Sequence, residues 1–367
     1  MRGGGIIARM HNRRRWTFLC AATCVAGMAW RAGAQLTPDR TYYGVNRAMP
    51  MKVETPSDPG GEARIDLFPA PGSGAEEGAE VAPVSTAPVA PGAVNLASLF
   101  PSLWSDPTPR LLYAQLVVGE SRMGPPVVLR PMLSPSRAMV YSMEAAKPYY
   151  VDPTTRRESI DPKKGDIVYT PDPAAYTGIC AYVDKNVVFD TTEGPIEFRM
   201  RPDQAPNTVW NFLKLVEGGF YTDIIFHRVV PKTAQGNPFV IQVGDPTGTG
   251  DGGPGYAIDL EPSKLPHDFG VISMARDADP NTNGCQVFVC LSREGTMKLD
   301  GKYTAFGEAV SGERAILAIG ATPVKGDRPV NPPVLLGARL VDAPPLGTGP
   351  RPVKRPADAD RVIEQGR

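Results

Sequence analysis

Side chains that commonly make or break bonds are scarce in this chain of 367 residues, which holds three histidines and five cysteines. His227 and His267 have no cysteine or second histidine at metal-ligand spacing, so no metal site is expected. Residues 248–255 are as rich in glycine as a phosphate-cradling loop, yet no Gly-Lys-Ser/Thr follows and no helix opens there. Asp245 and Asp300 read as carboxylates that fix turns. Cys180, Cys285 and Cys290 lie outside the N-terminal apolar run, and an odd number fits a disulfide framework poorly. Cys285 and Cys290 share one strand-like segment, which puts them on opposite faces and too far apart to bond. Buried free thiols are the expectation, and no pattern here implies a cofactor.

The chain that carries these residues changes character along its length. Residues 1–34 hold six arginines and no acid; the remainder has 33 basic against 39 acidic groups, a net charge of −6. That balance does not favour nucleic acid or anionic lipid. Arg13, Arg14 and Arg15 precede an apolar run from Trp16 to Trp30, and Ala32-Gly33-Ala34 follows. This is the charged, apolar, small-residue order of a secretory signal peptide. The run is about 15 residues, short of the roughly 20 that a spanning helix needs. Cleavage after Ala34 is expected, giving an exported protein, periplasmic or extracellular, without stable membrane insertion.

Residues 35–95 are rich in Pro, Gly, Ala, Ser and Glu and read as a linker, purest over 69–91. Residues 96–178 carry strand-like segments at 111–118, 126–130 and 166–169 among recurrent prolines. They suggest a small Pro-rich β module of unassigned function, or an extended segment lying on the next domain. From 179 the pattern sharpens. Strands are predicted over 186–191 and 195–200, around a Glu193-Gly194 turn. Pro206 opens a helix with Val209, Phe212, Leu213 and Val216 on one stripe, ended by Gly218 and Gly219. Further strands are expected over 224–230, 239–243, 270–274, 286–291, 303–309 and 334–341. Ser311 is expected to cap a second helix carrying Ile316, Leu317 and Ile319. Many strands and two helices imply a closed barrel with helices over its ends. Residues 344–367 have few apolar side chains and are expected to be disordered.

Several segments in this region carry a resemblance. Phe226-His227-Arg228-Val229-Val230-Pro231, Phe239-Val240-Ile241-Gln242-Val243-Gly244-Asp245 and the glycine-rich 246–256 come first. Ile272-Ser273-Met274-Ala275, the stretch 280–288 and Leu299-Asp300-Gly301-Lys302-Tyr303 complete six segments in order. Together they resemble the cyclophilins over about 186–342, less than half of the chain. The resemblance implies a mainly β fold, a closed eight-stranded antiparallel barrel capped by two helices, within 179–343. It also implies peptidyl-prolyl cis/trans isomerase activity on proline-containing polypeptides.

Rotation about an Xaa-Pro bond faces a barrier of about 18–20 kcal/mol from amide resonance. No bond is cleaved, so what helps is a grip on the ring and a donor that favours the twisted state. Arg228 matches the family's catalytic arginine, and Gln242 would hold its fork. Gln286 would reach substrate backbone. Phe239, Val240, Phe288 and Leu299 match the proline pocket, with Val240 where methionine is usual. Tyr303 replaces the common histidine. Ala275 and Arg276 match the stretch whose backbone pairs with the residue before proline, next to one extra residue in 277–279.

Two departures stand out. Lys298 occupies the place of a tryptophan that helps many eukaryotic members bind cyclosporin, so weak inhibitor binding is expected. Residues 232–238 are seven where the family usually has one, and they either bulge outward or gate the groove. A peptide-binding or chaperone module with little turnover is the alternative to an isomerase. A cell-envelope partner bound through 96–178 is compatible with both. The N-terminal pattern predicts that sequencing of the exported protein begins at Gln35. An intact Met1 or Met10 in membranes would contradict it.

Overall fold

Apolar residues at alternate positions build the N-terminal half despite its prolines. The computed structural model describes residues 34–56, 60–70, 81–106, 108–133, 139–142, 147–150 and 175–365. The expected signal segment and the strand expected at 166–169 lie outside these residues, apart from Ala34. The first strands are β1 (Gln35–Pro38), β2 (Tyr42–Gly44), β3 (Pro50–Glu54) and β4 (Ala63–Pro69). β5 (Ser85–Pro88) and β6 (Gly92–Asn95) lead into two single-turn helices, α1 (Leu96–Leu99) and α2 (Ser102–Ser105). β7 (Leu112–Val118) and the long β8 (Ser121–Leu133) follow. β9 (Met139–Ser142) and β10 (Lys147–Tyr150) pair with each other, and β11 (Tyr176–Val183) closes the set.

The expectation of a linker over 35–95 is thus corrected. β1, β3 and β6 form one sheet, while β4 and β5 belong to a six-stranded sheet of order β2-β11-β8-β7-β4-β5. Met49, Met51 and Val53 are buried at alternate positions, with Ile65, Leu67 and Ala87 in the same core. Composition averaged over 61 residues (35 to 95) hides a period of two, which is what a strand needs to bury one face. The boundary at 178/179 also moves, because β11 is shared with the N-terminal sheet and ends one residue before the next domain.

That domain holds β12 (Lys185–Thr191), β13 (Gly194–Met200), α3 (Pro206–Glu217), β14 (Thr222–Ile225) and β15 (Arg228–Val230). β16 (Val240–Val243), β17 (Val271–Met274), β18 (Val287–Cys290), α4 (Arg293–Thr296) and β19 (Ala305–Ser311) come next. Then follow α5 (Glu313–Gly320), β20 (Val324–Lys325), β21 (Arg328–Pro329), β22 (Val334–Asp342) and α6 (Ala359–Gln365). Nine strands join in the order β14-β22-β12-β13-β19-β17-β18-β16-β15. The two edge strands, β14 and β15, are consecutive in the chain with only Phe226-His227 between them. The sheet must therefore curl until its edges approach. The single strand expected over 224–230 is split at this point. Ser311 ends β19 rather than capping α5, whose first turn is entered through Gly312 at φ +94°.

The N-terminal sheet is two-sided. Ile179 and Ala181 of β11 face the core of the N-terminal module, while Cys180 and Tyr182 join the core of the curled sheet. Leu67 and Phe68, and Ala114 and Tyr113, divide in the same way. Trp210 of α3 receives this second face, with the Tyr182 ring 4.9 Å away and Lys214 Nζ 4.5 Å from its centroid.

The tail expected to be disordered is a strap. Leu346 donates its N–H to Gln115 Oε1 (2.9 Å), Val353 to the Ala309 carbonyl (2.8 Å), and Arg355 Nε to the Leu291 carbonyl (3.0 Å). Ala359 and Ile363 of α6 are fully buried, so two well-placed apolar residues decide what the polar average concealed. The three cysteines in described residues are free and buried, Cys285 in the main core and Cys290 on the opposite face of β18.

Asp184 is the one residue between β11 and β12. Burial, with the Asp203 carboxylate nearby, pushes its carboxyl up to about 7 against the pull of the Lys185 N–H, Arg199 and Lys185. An unfolded aspartate titrates near 3.9, so the fold holds a proton that the unfolded chain has released between about pH 4 and 7. This group's contribution is fully present below about pH 4 and is lost as pH rises through about 7. Asp184→Asn should raise Tm at pH 8 more than at pH 5. An equal shift at both pH values would contradict the assignment.

Candidate active site

One row of paired residues runs across five strands. Arg228 of β15 stands opposite Gln242 of β16, Gln242 opposite Phe288 of β18, Phe288 opposite Ser273 of β17, and Ser273 opposite Ala305 of β19. The neighbouring row, Val229, Ile241, Val289 and Ile272, points into the main core and is fully buried. Side chains alternate along a strand, so filling the inside with one row forces the other onto the outer face. Gln286, two positions before Phe288, belongs to that outer set.

On the outer face the polar side chains form a directed chain. Arg228 Nη1 donates to Gln242 Oε1 (3.3 Å), and Gln242 Nε2 donates to Gln286 Oε1 (2.9 Å). Gln286 Nε2 then donates to the carbonyls of Gly250 (2.7 Å) and Gly252 (2.9 Å). Each glutamine uses its oxygen as acceptor and its amide as donor, which fixes its orientation. Asp245 organises the glycine-rich loop at the end of this chain. Burial opposes its ionisation, but donors from Thr247 and the Gly250 and Gly252 N–H groups outweigh that and hold it well below the usual carboxylate range. A Cβ on Gly252 would stand 1.9 Å from Asp245 Oδ1, so the loop needs glycine there.

Beside the polar chain lies an apolar cluster. Val240, Phe288, Ala305 and Leu265 are buried in it, and Phe239, Ala275, Leu299 and Tyr303 pack against them half-buried. The Tyr303 ring meets Phe288 edge-on at 5.7 Å. Arg276 lies over Tyr303, its guanidinium carbon 4.4 Å from the centroid, and is held there by the Lys302 carbonyl. The ten residues singled out from sequence, including Arg276, therefore come together on one face. The extra residue in 277–279 is absorbed by Thr282, which accepts from the Asp277 N–H (2.9 Å) and donates to the Asp279 carbonyl (2.7 Å).

Residues 232–238 close on themselves. The Thr233 N–H donates to the Asn237 carbonyl (2.7 Å) and the Gly236 N–H to the Thr233 carbonyl (2.9 Å). The tip at 234–236 is exposed, and the base is tied by Lys232 to Glu364 of α6 (2.7 Å) and by Ser292 Oγ to the Pro238 carbonyl (2.8 Å). Lys298 is exposed beside Leu299.

The structure adds residues that sequence reasoning did not bring to this face. His267 is buried, stacks on Phe288 at 5.9 Å, and joins Ser273 Oγ (2.9 Å) to Asp300 Oδ1 (3.0 Å) through its two ring nitrogens. Arg293 grips both Asp300 oxygens, at 3.0 and 2.6 Å. Burial lowers the imidazole's affinity for a proton, although Asp300 pulls the other way. His227 is also buried, and among the described residues neither ring nitrogen finds a partner. Asp327, in the two-residue turn between β20 and β21, accepts from Arg228 Nε (3.1 Å) and Nη2 (3.0 Å). No local spacing flags these contacts, because 99 positions separate Arg228 from Asp327 and 33 separate His267 from Asp300.

Comparison with known proteins bears on the same region. The family model for cyclophilin type peptidyl-prolyl cis-trans isomerase/CLD matches residues 186–339. A peptidyl-prolyl cis-trans isomerase-like 1 of Aspergillus fumigatus is 39% identical over 163 residues, covering 43% of this chain and 96% of the relative. A peptidyl-prolyl cis-trans isomerase of Synechococcus elongatus is 44% identical over 126 residues, covering 34% and 81%. The crystal structure of a Cryptosporidium parvum cyclophilin type isomerase in the presence of the dipeptide Ala-Pro is 32% identical, covers 42% of this chain and 98% of that one, and gives a TM-score of 0.39. With nearly the whole of a 39%-identical relative spanned by the region that holds this row of side chains, the chain belongs to the cyclophilin-type peptidyl-prolyl cis-trans isomerase family.

Proposed function

We propose that the outer face of the curled sheet binds proline-containing polypeptides and that Arg228 catalyses their isomerisation. The observation that carries this is the single row placing the Arg228–Gln242–Gln286 chain beside the cluster of Phe239, Val240, Phe288, Leu299 and Tyr303. The apolar cluster grips the prolyl ring. As the Xaa-Pro bond twists, resonance is lost, the prolyl nitrogen turns pyramidal and its lone pair becomes an acceptor. A free N–H of the Arg228 fork donates to that nitrogen, an interaction the planar amide cannot accept. Gln242 holds the fork from one side. Gln286 and the backbone of Ala275 and Arg276 line the chain before the proline. In this reading the curled sheet closes as an eight-stranded barrel under the groove, with α3 and α5 over its ends.

The further role we infer is assisting the folding of exported proteins, in the periplasm or outside the cell. It is supported by the arginine, apolar and small-residue order of residues 13–34, and β1 begins at Gln35, so cleavage after Ala34 would remove no described strand. The N-terminal module would then offer a surface to a cell-envelope partner.

Arg228→Ala should raise the barrier by about 2–4 kcal/mol, hence a loss of roughly 10²–10³ in rate, with peptide binding weakened less. Arg228→Lys keeps the charge but loses the fork and should stay strongly impaired. Phe239→Ala should weaken binding as well, since it removes pocket wall. Exchange NMR on an Ala-Pro peptide measures all three. A rate for Arg228→Ala equal to that of the unsubstituted protein would leave a peptide-binding module as the better account.

A further inference from the structure

We propose that Asp327 is a positioning residue for Arg228, holding the guanidinium so that its remaining donors face the peptide. This rests on the reading of Arg228 as the catalytic donor. Three contacts bring the carboxylate there. The Val229 N–H donates to the Asp327 carbonyl (2.8 Å), which fixes the Gly326-Asp327 turn against β15 beside the arginine. Arg328 Nη1, next in the chain, donates to the Gly248 carbonyl (3.0 Å) and ties the same turn to the glycine-rich loop. Asp327 Oδ2 then accepts from Nε at 3.1 Å and Nη2 at 3.0 Å of Arg228. The hairpin therefore touches Arg228 at one end of the Arg228–Gln242–Gln286 chain and, through Arg328, the glycine-rich loop whose Gly250 and Gly252 carbonyls accept from Gln286 at the other.

The donor count gives the contact its meaning. A guanidinium has five N–H bonds. Asp327 takes one on Nε and one on Nη2, and Gln242 takes one on Nη1 at 3.3 Å. One N–H on Nη1 and one on Nη2 remain. The arginine side chain is 41% exposed and its partner 52%, so the pair adds little to stability. Its effect is on orientation. A long, solvent-facing stem clasped from two sides samples fewer rotamers, and a donor that must meet a nitrogen only in the twisted state depends on its angle.

Asp327→Ala should lower kcat roughly three- to tenfold with little change in KM, and Asp327→Glu should recover part of the loss. The deciding comparison repeats Asp327→Ala in an Arg228→Ala background, on the full chain with an Ala-Pro peptide. If Asp327 acts through the guanidinium, the second substitution changes nothing there. The same fractional loss in both backgrounds would mean that the turn only supports the fold, and would overturn the inference. An unchanged or raised kcat for Asp327→Ala alone would overturn it too. Hydrogen exchange at the Arg228 Nε–H, followed by ¹⁵N NMR, should be slow in the unsubstituted protein and faster in Asp327→Ala. Should the alanine variant fail to fold, Asp327→Asn carries the same comparisons. Full activity of Arg228→Ala would sink the catalytic reading itself, whereas an impaired Arg228→Ala with an indifferent Asp327→Ala would sink this inference alone.

Discussion

Everything at the candidate site depends on alternation across one set of paired strands. Val229, Ile241, Val289 and Ile272 fill the inside of the curled sheet, and their burial fixes the register. With that register fixed, Arg228, Gln242, Phe288, Ser273 and Ala305 have no choice of face. A slip of one residue in β16 would turn Gln242 inward and expose Ile241, which costs apolar burial and strands an amide in the core. The precision of the polar chain therefore comes from hydrophobic packing behind it. Gly307 shows how tight that packing is, since a Cβ there would stand 2.9 Å from Ile272 and Met200 side-chain carbons.

Beneath the groove the packing is not purely apolar. Phe288 rests on His267, which is held by Ser273 in front and by Asp300 and Arg293 behind. A buried imidazole with both nitrogens engaged cannot rotate without losing hydrogen bonds, so it gives Phe288 a rigid floor. The glycine-rich loop is fixed in a comparable way by Asp245, whose carboxylate gathers donors from Thr247, Thr249 and Gly250. Both networks place rigid polar supports next to the surface proposed to grip the prolyl ring.

Much of the isomerase domain was legible in the sequence, because α3 and its apolar stripe, the strand pair at its start and the six matching segments are local signals. The N-terminal half was less so. Residues 35–95 average as a linker, yet Met49, Met51 and Val53 carry a period of two that pairing with β1 and β6 converts into burial. The tail failed for a related reason, since Ala359 and Ile363 become significant only against α5. At the site, types and chain order identified the outer row but not its supports. Asp327 and His267 contact it, and Arg293 braces His267 through Asp300, by tertiary geometry with no fixed spacing. The split at Phe226-His227 was invisible because it follows from sheet curvature rather than from residue preference.

The two halves share a sheet face as well as a chain. Phe68, Tyr113, Val128 and Tyr182 belong to the same continuous hydrophobic cluster as the isomerase strands, with Tyr182 packed on Trp210 of α3. The central claim remains the outer face itself. The most direct measurement is a set of intermolecular NOEs between an Ala-Pro peptide and the full chain. The account predicts contacts from the prolyl ring protons to Phe239, Phe288, Leu299 and Tyr303. Contacts confined to the N-terminal module, with none to these four side chains, would contradict it.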